Sequence, residues 1–315
     1  MFLQVSTYLS ERFHLAFPAP CFKGRLFDDL GFIGDEHVVQ QILEGTYDYP
    51  PDVDPATRLL FEEASRTYLA LSREEVATYV TAEDFAYYWQ RANERISSSY
   101  SGLHFSHYKA ASFNPALSAL HAAKLSACAR KGVPLSRWGI GLTVLLEKIA
   151  GNNFVNKLRA ICLFEADFNW WNKLIFARRM MSLAGEKGMI PEDSFAKVGS
   201  NCTNAVMCKR FFSDTSRIMH HPAAIGSGDF DQCYDRTAHP PSNIALRSWG
   251  IPAAAIKVLL KALQTMQFCL RTGFGESKEF YGGSEDDPTQ GSGQGNGAAS
   301  ALFSALGALV VNAYR

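Results

Sequence analysis

The sequence of 315 residues lacks the features of several specialised protein classes. No run of about eighteen apolar residues occurs, although a membrane-spanning helix needs one. The opening residues, MFLQVSTYLSERF, have neither the basic flank nor the small-residue cleavage site of a signal peptide. We therefore expect a globular, intracellular protein, in the nucleus or the cytoplasm, with no membrane partner.

Paired cysteines are also missing. The seven cysteines are odd in number and never have the spacing Cys-x-x-Cys. This argues against a disulfide framework and against a zinc knuckle, which needs closely spaced thiols. We expect the cysteines to be reduced and mostly buried.

The common phosphate-binding glycine motifs are absent as well. Residues 291–297, GSGQGNG, match neither G-x-G-x-x-G nor G-x-x-x-x-G-K-[ST], and they follow no convincing strand. The composition of this segment predicts a flexible loop rather than a dinucleotide-binding turn.

The charges that are present are distributed unevenly, although their sum is zero. Residues 1–100 carry 8 Lys and Arg against 16 Asp and Glu, and residues 101–190 carry 12 against 4. The remainder is balanced at 11 and 11. A basic middle section favours a polyanionic partner such as nucleic acid, and a solvated helix face explains such counts about as often.

Local patterns predict a mixed α+β protein. N-capping residues and apolar spacing predict helices after Asp54, after Thr81 and after Asn114. Two short apolar runs, GIGLTVLLEK and KLRAICLF, flank a Gly-Asn turn and predict a β-hairpin with basic residues at its ends.

Further helices are predicted near residues 167–184, 203–219 and 253–270. Together with the charge distribution, these elements suggest an acidic, mostly helical region over 1–100, a basic subdomain over 101–200 and a third part over 201–315.

An acidic stretch, GDFDQCYDRTAH, contains Asp229, Asp231 and Asp235. On a continuous strand these three carboxylates would point to one face and would suit a hard divalent cation such as Mg²⁺. An acidic surface turn is the simpler alternative. A nucleophile and base formed by Cys233 and His239 is a weaker one, because nothing in the sequence supplies an orienting carboxylate.

The same stretch resembles motif A of reverse transcriptases of the non-LTR retrotransposon type, with matches at Asp229, Phe230, Tyr234, Asp235 and His239. The hairpin and the helix after it resemble the fingers of that family, and SGLHFSHYKA resembles the segment before the fingers. QGNGAASALFSAL resembles motif B. The four segments occur in the order of the family.

The resemblance implies a right-hand polymerase with fingers, an incomplete palm and a helical N-terminal region. It implies an RNA-directed DNA polymerase that takes an RNA template, a DNA primer and deoxynucleoside triphosphates. Asp229 would be the catalytic metal ligand for two Mg²⁺ ions, with Asp231 and Asp235 as weaker candidates. Nucleotide binding would fall to Lys148 and Arg159, and the template side to Gln294 and Gly295.

The sequence departs from the family in two places. Residues 222–228 are a poor strand, and the next motif of the family, an aromatic-x-Asp-Asp hairpin, is absent. We therefore expect the chain to be an incomplete polymerase that extends a primer poorly by itself. The alternative is a nucleic-acid-binding remnant of a retroelement without catalytic activity.

Overall fold

The computed structural model describes residues 2–71, 74–96, 99–152, 154–192, 194–195, 197, 199–225 and 230–315. The described chain is a mixed α+β structure, as the sequence predicts, with a four-stranded sheet among many helices. The helices of the first half are α1 (Phe2–Arg12), α2 (Gly24–Leu30), α3 (Glu36–Glu44), α4 (Pro55–Ala70), α5 (Ala82–Trp89), α6 (Phe105–Ser112) and α7 (Pro115–Lys131).

The second half holds the sheet and the remaining helices. Its elements are β1 (Ile140–Glu147), β2 (Leu158–Leu163), α8 (Ala166–Asn172), α9 (Met181–Glu186), α10 (Cys202–Ile218), α11 (His239–Ser248), α12 (Ala253–Thr265), β3 (Gln267–Thr272), β4 (Gly275–Gly282) and α13 (Ala299–Tyr314).

The helix starts follow from capping residues that the sequence makes visible. The Asp54 side chain accepts a hydrogen bond from the Thr57 amide at 2.8 Å, and Pro55 occupies the first turn of α4. The Asn114 side chain caps α7 in the same way. These predicted helices are confirmed.

The long helix expected over 167–184 is also confirmed, but its middle differs from an α-helix. Residues Lys173–Met180 form a π-helical segment that joins α8 to α9 without a break. Such i→i+5 segments are rare and often mark functional sites.

The sheet has the strand order β2-β1-β3-β4. The predicted hairpin is confirmed, because β1 and β2 pair antiparallel with Leu146 opposite Arg159. Strand β1 also pairs parallel with β3, which forms a second antiparallel hairpin with β4.

The second hairpin corrects the predicted helix near 253–270. Helix α12 ends at Thr265, and residues 267–270 belong to β3. No glycine or proline marks this boundary, and apolar residues continue on both sides of it, so periodicity alone could not separate a helix from a short buried strand. The packing of Phe268 against Gly141 decides it.

The three sequence segments share one hydrophobic core. Strand β1 lies in residues 101–200 and its neighbour β3 lies in residues 201–315, while Phe13 of the N-terminal region stacks on Phe268 and Tyr281 of the sheet. The three segments are therefore packed on one another.

Four of the seven cysteines are buried, and all seven are free. This agrees with the expectation of reduced, mostly buried thiols. No helix among the described residues is long and apolar enough to cross a bilayer.

Candidate nucleotide-binding site

The first hairpin carries a group of cations at its turn end. Arg159 lies in β2, and Lys148 is the first residue after β1. Lys157 lies just before β2, and all three side chains are exposed. Because Lys148 is outside the strand, strand alternation does not fix the direction of its side chain. We predict that the Lys148 and Arg159 side chains lie on the same side of the hairpin.

The Gln294–Gly295 pair lies against the outer edge of β2. The Cys162 amide donates a 2.8 Å hydrogen bond to the Gln294 carbonyl, so the loop satisfies a donor of the edge strand. Gly295 has φ +117°, and a Cβ there would lie 2.3 Å from the Cys162 carbonyl oxygen. Only glycine permits this approach.

The glycine-rich loop is mostly buried and well bonded, which corrects the flexible loop expected from its composition. The Ser292 amide donates to the Tyr234 carbonyl at 2.7 Å, and the Gly291 amide donates to the Thr237 carbonyl at 2.9 Å. The predicted motif B segment therefore lies beside the end of the aspartate stretch.

The described part of the aspartate stretch is not a strand. Residues 231–236 form consecutive turns, and Gln232 has φ +49°. The shared face that a strand would give to the carboxylates is therefore absent, and this expectation was wrong. Turn geometry separates Asp231, which is exposed, from Asp235, which is largely buried.

Asp235 is held by an arginine that the sequence analysis did not single out. Arg12 at the end of α1 donates from its Nε atom to the Asp235 carboxylate at 3.0 Å and forms an ion pair through a terminal nitrogen. Burial raises the pKa of Asp235, while the nearby positive charges of Arg12 and Lys148 oppose this rise. Asp235 thus joins the aspartate stretch to α1.

The described carboxylates do not fit a magnesium centre by themselves. Asp231 pairs with Arg236 at 3.3 Å, and Asp235 pairs with Arg12. Among the residues that the structure describes, no three His, Cys, Asp or Glu side chains are grouped so that they could hold a metal ion. Asp229, the predicted catalytic ligand, lies outside the described residues, and its role stays a prediction.

His239 is a buried, hydrogen-bonded residue of the core. Its side chain is completely buried at the start of α11, with Nε2 2.8 Å from the Gly291 carbonyl and Nδ1 3.0 Å from the Gln264 side-chain amide. Burial lowers the pKa of His239 to about 4, so the ring is neutral. Both ring nitrogens are engaged away from Cys233, which removes the nucleophile and base alternative.

Two buried acids fix the segment that precedes the β1–β2 hairpin. Glu165 and Asp167 are almost completely buried and share Arg137, which lies 2.8 Å from Glu165. The Ser101 hydroxyl donates to Glu165 at 3.0 Å, so the SGLHF loop is tied to the start of α8. The acids in FEADF, inside a basic apolar stretch, were the signal that the sequence analysis missed.

The geometry therefore brings together three segments that are far apart in the sequence, namely the first hairpin, the aspartate stretch and the glycine-rich loop. Lys148, Asp235 and Gln294 all lie around β2, and Arg159 extends from that strand. The cavity between Asp235, Cys162 and Gln294 measures about 10 Å³, which is room for one water molecule at most. This cavity is too small for a nucleotide, so a nucleotide in contact with Lys148 and Arg159 would lie at the exposed end of the hairpin. Neither a family model nor a curated protein matches the chain.

Proposed function

We propose that the chain is a nucleic-acid- and nucleotide-binding part of a reverse transcriptase-like polymerase. The observation that carries the proposal is the meeting, at one strand, of the cationic hairpin end, the aspartate stretch and the Gln294–Gly295 loop. The sequence resemblance assigns these same segments to the fingers, motif A and motif B.

The hairpin end suits the triphosphate of an incoming nucleotide. The Arg159 guanidinium offers a planar fork of donors, and the Lys148 ammonium is a compact point charge on a flexible stem. Neither is held in an ion pair among the described residues, so both are free to bind phosphate oxygens. Their role in this proposal is to bind and orient the nucleotide.

The basic middle section supports a nucleic-acid partner. Five of its 12 cations form ion pairs with carboxylates (Lys109, Lys124, Arg137, Arg179 and Lys187). The other 7 are exposed and have no carboxylate partner in the described part of the chain (Arg130, Lys131, Lys148, Lys157, Arg159, Lys173 and Arg178). Exposed cations of this kind bind nucleic-acid backbones through counterion release.

The first experiment measures binding of a deoxynucleoside triphosphate to the chain in complex with an RNA–DNA template–primer. We expect Lys148→Ala and Arg159→Ala each to weaken nucleotide binding by roughly tenfold, because each removes a charge-assisted contact with phosphate. Arg159→Lys keeps the charge but loses the fork, so it should recover only part of the loss.

The matched control is Lys278→Ala, which removes one exposed cation from β4, away from the first hairpin. It should bind the nucleotide as the wild type does. Unchanged nucleotide binding in the Lys148→Ala, Arg159→Ala double variant would contradict the proposed function.

The second candidate is a nucleic-acid-binding protein without polymerase activity. The arginine pairing of both Asp231 and Asp235 favours it, because carboxylates held in this way are poorly placed to bind metal ions. Primer extension on an RNA template separates the candidates when it is measured with the chain fused to a palm segment that carries the aromatic-x-Asp-Asp motif, because both candidates predict little extension by the chain itself. Extension that disappears in Asp229→Ala supports the polymerase, whereas hybrid binding without any extension supports the second candidate.

A further inference from the structure

A cavity of about 540 Å³ lies between α5, α6 and the π-helical segment Lys173–Met180, beside the start of α13. Its size is within the range of small-molecule sites. We propose that this aromatic cavity binds one unpaired nucleotide of a single-stranded nucleic acid. The inference rests on the proposed function, since it concerns the same class of ligand at a second place.

One wall of the aromatic cavity offers rings for a nucleobase. Tyr88 stacks on Trp170 with a centroid distance of 5.5 Å and an interplanar angle of 28°. Tyr87 is 55% exposed beside them, and Phe105 completes the wall. Aromatic side chains bind unpaired bases by stacking, with little dependence on sequence, because every base has a flat face.

The rim of the cavity offers positive charge for the phosphates. Arg91, Lys173 and Arg178 line it, and no acidic residue does among those that the structure describes. None of the three cations forms an ion pair with a described carboxylate. The nearby Glu94 is occupied by Lys109 at 3.1 Å. Three cations without a described carboxylate partner, placed around an aromatic wall, match a ligand that is both flat and anionic.

The helices around the cavity add to its positive charge in two ways. Lys173 and Arg178 are five residues apart on the π-helical segment, and i→i+5 winding brings such residues closer to one side than α-helical winding does. Helix α13 begins without a side-chain cap, and Ser300 of its first turn borders the cavity. The positive end of that helix therefore lies near the cations.

Arg91 links the wall and the rim. Its guanidinium carbon lies 4.0 Å from the centroid of the Tyr87 ring, and its NH1 donates to the Tyr87 carbonyl at 2.9 Å. This leaves a flat guanidinium surface beside an exposed ring. Stacking on an arginine plane and on a tyrosine is typical of recognition of single-stranded RNA.

The experiment measures the affinity of the chain for a labelled, short single-stranded RNA by fluorescence anisotropy. The same RNA with abasic residues and a duplex of the same length are the comparison ligands. Tyr87→Ala and Arg178→Ala are the test variants, because both side chains are exposed and their loss should leave the fold intact. Lys278→Ala is the charge-matched control.

We expect Tyr87→Ala and Arg178→Ala each to weaken binding of the single strand roughly tenfold, through lost stacking and a lost phosphate contact respectively. Lys278→Ala should be neutral. The abasic RNA should bind the wild type more weakly than the intact RNA does, and Tyr87→Ala should bind both equally.

Wild-type affinity in both test variants would overturn the inference, and so would equal binding of the intact and abasic strands by the wild type. A wild-type chain that bound no single strand would overturn it as well. These failures are distinct from failure of the proposed function, which depends on Lys148 and Arg159 at the hairpin. If Tyr87→Ala and Arg178→Ala bound RNA normally while Lys148→Ala and Arg159→Ala lost nucleotide binding, only the inference about the cavity would be refuted.

Discussion

Replacement of Arg137 by alanine should destabilise the chain more than the loss of a typical surface ion pair. Arg137 is the shared partner of Glu165 and Asp167, whose side chains are 0% and 1% exposed. Without the guanidinium, these two carboxylates remain buried with reduced compensation. Breaking a buried pair by removing one partner costs about 3–5 kcal/mol.

The structure indicates that the cost lies near the lower end of that range. Asp167 keeps the indole of Trp138, whose Nε1 donates at 2.9 Å, and the ammonium of Lys124 at 3.7 Å. Glu165 keeps the Ser101 hydroxyl at 3.0 Å. We therefore expect a loss of about 3 kcal/mol in the free energy of unfolding.

The assay is equilibrium unfolding in urea, followed by tryptophan fluorescence. Arg137→Lys is the first control, because it keeps the charge and should lose less. The triple variant Arg137→Met, Glu165→Gln, Asp167→Asn is the second, because it removes the buried charges together and should recover part of the stability. A loss of less than about 1 kcal/mol in the unfolding free energy of Arg137→Ala would refute the reasoning, provided that the dependence of that free energy on urea concentration is unchanged.

Three further predictions concern the site and its ligands. Gly295→Ala should cost about 2 kcal/mol or more in unfolding free energy, because the added Cβ would lie 2.3 Å from the Cys162 carbonyl oxygen. Gly273→Ala is the control, because a Cβ at that position meets no neighbour. Lowering the pH from 6.5 towards 4 should reduce the free energy of unfolding by up to about 3 kcal/mol. In this range His239 takes up a proton in the unfolded chain but not in the folded chain, where its pKa is lowered to about 4. His239→Gln should flatten that part of the pH profile, and a profile unchanged by the substitution would contradict the assignment. Binding of an RNA–DNA hybrid should weaken as salt rises, with a shallower slope in Arg159→Ala, and binding that is insensitive to salt would exclude counterion release.

The local patterns of the sequence determined much of the secondary structure. Helices α4 and α7 and the β1–β2 hairpin were predictable, because capping residues, apolar spacing and a Gly-Asn turn act over a few neighbouring residues. The boundary between α12 and β3 was not, since a largely apolar segment without glycine or proline is compatible with either element until its neighbours are known.

For the site, the sequence by itself determined which segments carry charge and glycine, and the resemblance assigned them roles. Only the tertiary structure decided that Asp235 meets Arg12, that Gln294 bonds to the edge of β2 and that a glycine-rich stretch is mostly buried. Each of these contacts joins residues far apart in the chain, so no local spacing encodes it. The partner that neutralises a carboxylate, and the backbone that a glycine must approach, become known only when the whole chain is packed.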